Sequence, residues 1–114
     1  MHIYGIKNCG SVKKALTWLE EQGISYTFHD YKKEGVTAEK LREWSNKVGW
    51  EVLLNKRGTT WRKIPTEEQE RVVDADSAIR LLAERTSAIK RPVIEHGPAV
   101  LVGFDEALYA EKIK

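Results

Sequence analysis

Between residues 2 and 30 the spacing of apolar side chains changes period twice, and few chain topologies accommodate that. A short apolar run, His2-Ile-Tyr-Gly-Ile6, reads as a first strand and stops at the polar stretch Lys7 to Gly10. Val12, Ala15, Leu16 and Leu19 then recur at i, i+3, i+4 and i+7, which is one apolar stripe of a helix over 11 to 22, with Ser11 as its expected N-cap. Gly23 suits the left-handed position after that helix. From Ile24 to Asp30 apolar and polar residues alternate, as in a strand with one buried face. Strand, helix and strand in that order make a βαβ unit, so the two strands are expected to be parallel and the crossover right-handed.

The middle of the chain has helical spacing. After a polar loop at Lys32 to Val36, Thr37 is placed to cap a helix carrying Leu41, Trp44 and Val48 that ends near Gly49, and Trp50 to Leu54 suggests a second short piece. Asn55 to Thr60 reads as a loop bearing Arg57, Thr66-Glu-Glu-Gln69 has capping-box spacing, and Ile79, Leu82 and Ala83 following Asp76 mark a helix to about Thr86. Past Pro92 the period becomes strand-like again. Val93 and Ile94, a turn at Glu95-His-Gly-Pro98, and Ala99 to Val102 predict an antiparallel hairpin, which Gly103 ends before a last amphipathic helix from Phe104. The expected architecture is α/β: β-α-β, a helical insertion over about 37–88, then β-β-α, forming a mixed four-stranded sheet in a single domain, 1–114. Pro92, directly before a strand, is a candidate for a cis bond.

The only cysteine, Cys9, stands where the first strand gives way to the first helix. Free backbone N–H groups and the positive dipole end there favour an anion, and Lys7, Lys13 and Lys14 add cationic charge. Such surroundings lower a thiol pKa from about 8.5, and the thiolate is the nucleophile. Two readings fit the position: a reactive cysteine with Asn8, Gly10 and Ser11 forming a small anion-binding turn, or an inert small hydrophobe filling space.

Composition narrows the class. The 114 residues carry 19 Lys plus Arg against 17 Asp plus Glu, a net charge of +2 that is too small and too interspersed to imply nucleic-acid binding. Lys32-Lys33-Glu34 and Lys112-Ile-Lys114 read as solvated ends. No apolar run reaches the 18 or so residues of a membrane span, no secretory signal follows Met1, and one cysteine cannot form an internal disulfide, which together fit a cytoplasmic protein. His2, His29 and His96 lack metal-site spacing, no tightly bound cofactor is implied, and the four tryptophans read as packing residues.

Three stretches are more specific than the pattern around them. Tyr4-Gly-Ile-Lys-Asn-Cys9, Leu54-Asn-Lys-Arg57 and Lys90-Arg91-Pro92-Val93-Ile94, in that order, resemble the glutaredoxin-coupled arsenate reductase (ArsC) family, with a thioredoxin-like fold. The opening motif and His29-Asp-Tyr-Lys-Lys33 resemble its Spx and YffB-type branch most. The resemblance implies Cys9 as nucleophile, Arg57 and Arg91 as groups holding an anion, and glutathione or glutaredoxin as the external thiol source. One cysteine indeed has to borrow a second thiol to leave a mixed disulfide. The histidine that true arsenate reductases carry four residues before the cysteine would fall at Gly5, and their third arginine near Val102. Both are missing, which argues against arsenate as the natural substrate. The Cys-x-x-Cys switch of Spx-type regulators would need cysteine at Val12, so that switch is impossible here. The expected function is a glutathione-dependent thiol-disulfide reductase acting on a small disulfide or oxyanion. The alternative is a non-enzymatic Spx-type regulator docking on a protein such as RNA polymerase.

Overall fold

The computed structural model describes residues 1–113, so Lys114, and with it the end of the Lys112-Ile-Lys114 run, lies outside the described residues. The chain resolves into two compact units, Met1–Glu34 with Arg91–Lys114, and Gly35–Lys90.

The first unit is a sheet with helices. Strands β1 (His2–Gly5), β2 (Thr27–Asp30), β3 (Val93–His96) and β4 (Ala99–Val102) form one sheet in the order β2-β1-β3-β4. β1 runs parallel to β2 and antiparallel to β3, and β3 and β4 make the expected hairpin. Ile3 faces Phe28 on one side and Ile94 on the other, and Ile94 faces Leu101, so these four share one face of the sheet. That face packs with Ala15, Trp18 and Leu19 of α1 (Gly10–Glu21) and with Tyr109 of the C-terminal helix. Ile3, Leu19, Ile94 and Tyr109 are fully buried, and burying an aliphatic side chain of this size contributes ~1.5–3 kcal/mol.

Several local expectations are corrected. The second strand begins at Thr27 rather than Ile24, because the Ile24 N–H is taken by the Leu19 carbonyl at the end of α1 and Thr27 N–H is the first to reach β1's edge, at Met1 O. The loop expected from Lys32 is instead one helical turn, α2 (Tyr31–Glu34). Asp30 makes it: its carboxylate accepts from the N–H groups of Lys32 and Lys33, while Glu34 reaches back to the Asp30 N–H. Glu95 and His96 belong to β3, and the turn is only Gly97-Pro98, with Gly97 at φ 57 as a primed two-residue hairpin turn requires.

The second unit contains α3 (Ala38–Val48), α4 (Trp50–Leu53), α5 (Thr59–Lys63), α6 (Thr66–Glu70), α7 (Ala75–Glu84) and a 3₁₀ turn at Thr86–Ala88. Thr37 caps α3 as expected, accepting from Lys40 N–H, and Gly49 at φ 90 ends it. α3 packs on α7, burying Leu41 and Trp44 on one side and Ala78, Ile79 and Leu82 on the other. The Thr66–Gln69 capping box does not form: Pro65 is the N-cap, Thr66 is already helical, and the Gln69 amide donates to Trp61 O. α7 starts earlier than Asp76, at an Asp74–Ser77 box, leaving Asp76 to pair with Arg42 at 2.6 Å. The loop at Asn55 is shorter than expected, since α5 begins at Thr59.

In the first unit again, α8 (Glu106–Lys112) is capped by Asp105, which leaves Phe104 before the helix, edge-on to Tyr109. Among the described residues no helix is long and apolar enough to cross a membrane.

Candidate functional site

The first strand ends at a packing contact that sets where the helix can start. A Cβ built on Gly5 would come 2.7 Å from Cγ2 of Val12, a fully buried side chain. Gly5 therefore lets β1 pass close under the first turn of α1, and Val12 fills the space a side chain at position 5 would occupy. Gly5 and Val12 are thus two halves of one packing arrangement.

The N-cap of α1 is Cys9, not Ser11 as the sequence suggested, and Gly10 and Ser11 are already helical. Cys9 has extended backbone angles (φ −100, ψ 130), its carbonyl accepts from Lys13 N–H at 3.0 Å, and its own N–H donates to Ile6 O at 3.3 Å. No side-chain oxygen caps this helix. Its first N–H groups point instead at sulfur: burial pushes the Cys9 thiol up, but hydrogen bonds from the backbone N–H of Val12 and of Ser11, and from the Arg91 side chain with its charge, outweigh that and hold the thiol below its ordinary value. The thiol is free and half-buried.

Arg91 reaches the site through sheet register. The pairing of β1 with β3 ends at Tyr4 opposite Val93, two residues after Arg91, and Arg91 acts on the Cys9 thiol through its charge and a side-chain hydrogen bond. The Arg91–Pro92 bond is cis, Pro92 is buried, and its carbonyl accepts from the N–H of Gly103, a residue at φ 83 after β4. The cation that acts on the thiol thus comes from Arg91 rather than from the exposed Lys7, Lys13 and Lys14.

The other anion-binding candidates fall in different places. The backbone of Ser11 is part of the thiol's shell, Gly10 opens the helix, and Asn8 is exposed in the preceding turn. Arg57 belongs to the second unit, exposed on a loop built by its neighbour: Asn55 Oδ1 accepts from the Arg57 N–H at 3.3 Å, while Asn55 N–H donates to Ala88 O at 2.9 Å.

Tyr31 was not singled out by sequence. It is 1% exposed, and its phenol lies in the electrostatic field of Arg91, Tyr4 and Cys9. Burial pushes this phenol well above its ordinary value, with Arg91 opposing and Tyr4 and Cys9 adding to the rise, so it stays protonated. The signal was its place in the His29-Asp-Tyr-Lys-Lys33 run, where Asp30 turns the chain and sends Tyr31 inward. Around it, the His29 ring stacks on Tyr4 (4.5 Å, 14°) and bonds both His2, at 2.8 Å, and Glu34, at 3.0 Å, while Tyr4 donates to Glu95.

Comparison with known proteins identifies the fold and the family. The chain is similar to the solved structure of a protein named YFFB, with a TM-score of 0.94, 44% identity, and coverage of 99% of this chain and 98% of that one. It is also similar to an arsenate reductase (ArsC) related protein from Brucella melitensis, with a TM-score of 0.75, 51% identity, and coverage of 99% and 93%. A more distant relative is the global transcriptional regulator Spx 1 of Lactococcus lactis, 23% identical over 91% of this chain and 81% of the regulator. A sequence model of the ArsC family matches residues 4–112, nearly the whole chain, and the chain belongs to the ArsC family.

Proposed function

We propose that this protein is a single-cysteine thiol-disulfide reductase of the cytoplasm that uses glutathione as its reducing cosubstrate. The observation that carries the reading is the Cys9 thiol, held toward its thiolate by two helix-start N–H groups and Arg91. The thiolate attacks the glutathione sulfur of a mixed disulfide, forming a Cys9–glutathione disulfide and expelling the substrate as a thiolate. A second glutathione thiolate then attacks the glutathione sulfur bound to Cys9. Oxidised glutathione leaves and the Cys9 thiolate is restored; in the net exchange one glutathione thiolate is consumed, the substrate leaves as a thiolate, and the disulfide bond has passed from the mixed disulfide to oxidised glutathione.

Arg91 holds the thiolate, and in this reading its guanidinium and the Asn8-Cys-Gly-Ser11 turn receive the anionic end of glutathione or of an oxyanion substrate, for which an arginine fork is suited. Arsenate is disfavoured because Gly5 and Val102 stand where arsenate reductases carry a histidine and a third arginine. The test is turnover of the mixed disulfide of glutathione and mercaptoethanol, with glutathione alone and with added glutaredoxin. Cys9→Ser should lower turnover by ~10³-fold or more. Unchanged turnover would overturn the reading.

Likeness to the Spx regulator favours one second reading, a module that docks on a protein such as RNA polymerase and has no use for the thiol. Recovery of a polymerase subunit from bacterial lysate equally by wild type and Cys9→Ser would support that reading. Recovery of none would remove it.

A further inference from the structure

The β3–β4 hairpin ends on an unequal pair. Val93 faces Val102, so the next residues to meet are Pro92 and Gly103, and Gly103 N–H donates to Pro92 O at 2.8 Å. In an antiparallel ladder a hydrogen-bonded pair exchanges two bonds, and the second here would run from the N–H of residue 92 to Gly103 O. Proline has no N–H to give. The donor comes instead from another element: the Tyr109 hydroxyl of α8 donates to Gly103 O at 2.5 Å, in a buried bond. Gly103 and Pro92 are themselves buried, where a carbonyl left without a donor is costly. Tyr109 is fully buried, with its ring edge-on to Trp18 of α1 and to Phe104, so packing aims the hydroxyl.

We infer that Tyr109 is a positioning residue of the Cys9 site: its hydroxyl stands in for the N–H that Pro92 lacks, closes the end of the β3–β4 ladder, and so fixes the backbone from which Arg91 reaches the thiol. Arg91 directly precedes Pro92, and its side chain bonds the Cys9 thiol and sets a positive charge beside it. A guanidinium on a long stem holds one such bond at lower entropic cost when the backbone that carries it is fixed. From Tyr109 to the thiol the route runs through Gly103, Pro92 and Arg91 by hydrogen bonds and the chain itself. Burial first, and then the charge of Asp105 just before α8, push the Tyr109 phenol above its ordinary value, so it remains a donor across the range in which a thiol titrates. The inference rests on the proposed function, since it concerns the same thiolate.

The experiment is the pH profile of Cys9 alkylation by iodoacetamide in wild type, Tyr109→Phe, Arg91→Met and the double variant, with urea unfolding of each. Tyr109→Phe keeps the ring against Trp18 and Phe104 and removes only the donor. It should raise the alkylation midpoint by about half a unit, making the reaction near neutral pH roughly threefold slower with the high-pH plateau unchanged, and should raise it no further once Arg91 is Met. A role confined to stability would lower the urea midpoint and leave the alkylation midpoint where it is. That result, or an equal shift with and without Arg91, overturns the inference and leaves the proposed function standing. A wild-type alkylation midpoint at or above about 8.5 fails the proposed function and the inference with it. Should Tyr109→Phe not fold, the NMR signal of the Gly103 amide in the wild-type protein decides. It should move as Cys9 titrates and again on alkylation, and a signal that stays still through both refutes the role.

Discussion

Two helix starts in this chain place an anion-forming group at the same position and obtain different things from it. At α7 the N-cap is Asp74, whose carboxylate accepts from Ser77 N–H at 2.9 Å while the Ser77 hydroxyl accepts from the Asp74 N–H at 3.1 Å. Those bonds from Ser77, its backbone first, hold the exposed Asp74 carboxyl below its usual range. At α1 the N-cap is Cys9, the helix N–H groups come from Ser11 and Val12, and they hold a thiol down in the same way. The dipole and the orphan donors are common to both. At α7 the group is already an anion at neutral pH, everything needed lies within four residues, and the product is stability. At α1 the group is half-buried, needs Arg91 from the segment before the neighbouring strand β3, and the product is a nucleophile. A local device can stabilise a helix, whereas a reactive one takes contributions from elements remote in sequence.

The sharpest way to break that comparison is through Gly5. Gly5→Ala should force its new Cβ against Val12, a β-branched side chain with little rotamer freedom in a helix, and destabilise the fold by ~1–3 kcal/mol in urea unfolding. Val12→Ala in the same chain should recover part of the loss, with a coupling of about 0.5–3 kcal/mol in a double-mutant cycle. Strict additivity would show that the contact is not what seats α1. The next largest effect is at Arg91. Arg91→Met leaves the helix donors in place but removes the cation and its hydrogen bond while burial still opposes ionisation, so the Cys9 alkylation midpoint should rise by about one unit, a tenfold loss of rate near neutral pH. An unmoved midpoint would mean that α1 is as self-sufficient as α7.

The same division explains what could be read from the sequence. The βαβ start, the helical insertion and the closing hairpin and helix follow from periodicity, because Val12, Ala15 and Leu19 or Leu41 and Trp44 advertise their buried faces by spacing alone. Helix ends were less legible. Ser11 looks a better cap than Cys9 by composition and Asp76 stands closer than Asp74 to the apolar stripe, and only the backbone angles decide which residue is the last non-helical one. At the site, Cys9 was readable from its place at a helix start. Pro92 was readable as a cis candidate from its place before a strand, but Arg91 came from the family motif rather than from any spacing rule, since nothing local in Lys90-Arg-Pro-Val93 says which strand end it will meet. Tyr31 was hidden because the turn that buries it depends on side-chain hydrogen bonds from Asp30 and Glu34, and in sequence that stretch is indistinguishable from a polar loop.

A smaller effect is expected at the other helix start. Asp74→Ala should cost about 1 kcal/mol through the lost cap, lowering Tm by roughly 4–8 °C, and should leave the Cys9 alkylation profile where it is. A shifted profile would mean that α7 and the thiol are coupled and that the separation drawn above is wrong.

The smallest effect lies in pH. Cys9 has a folded pKa below its unfolded value of about 8.5, so its ionised form is favoured by folding. The sign follows from linkage: above about 8.5 the thiolate is present in both states and the folded state interacts with it better, whereas below the folded pKa both states hold the proton and nothing is gained. Wild type should therefore gain stability over Cys9→Ser as pH rises through the window between the folded value and about 8.5, and lose that margin as pH falls through it. The thiol is only partly buried and burial opposes the gain, so solvent screening keeps the margin below the ~1 kcal/mol of the Asp74 cap. Asp74 titrates in the acid range, so its contribution stays constant across this window and the Asp74→Ala difference should be flat there. A Cys9→Ser difference equally flat from neutral to alkaline pH would show that the helix start does not prefer the thiolate, and would reduce α1 to the purely structural kind of start that α7 represents.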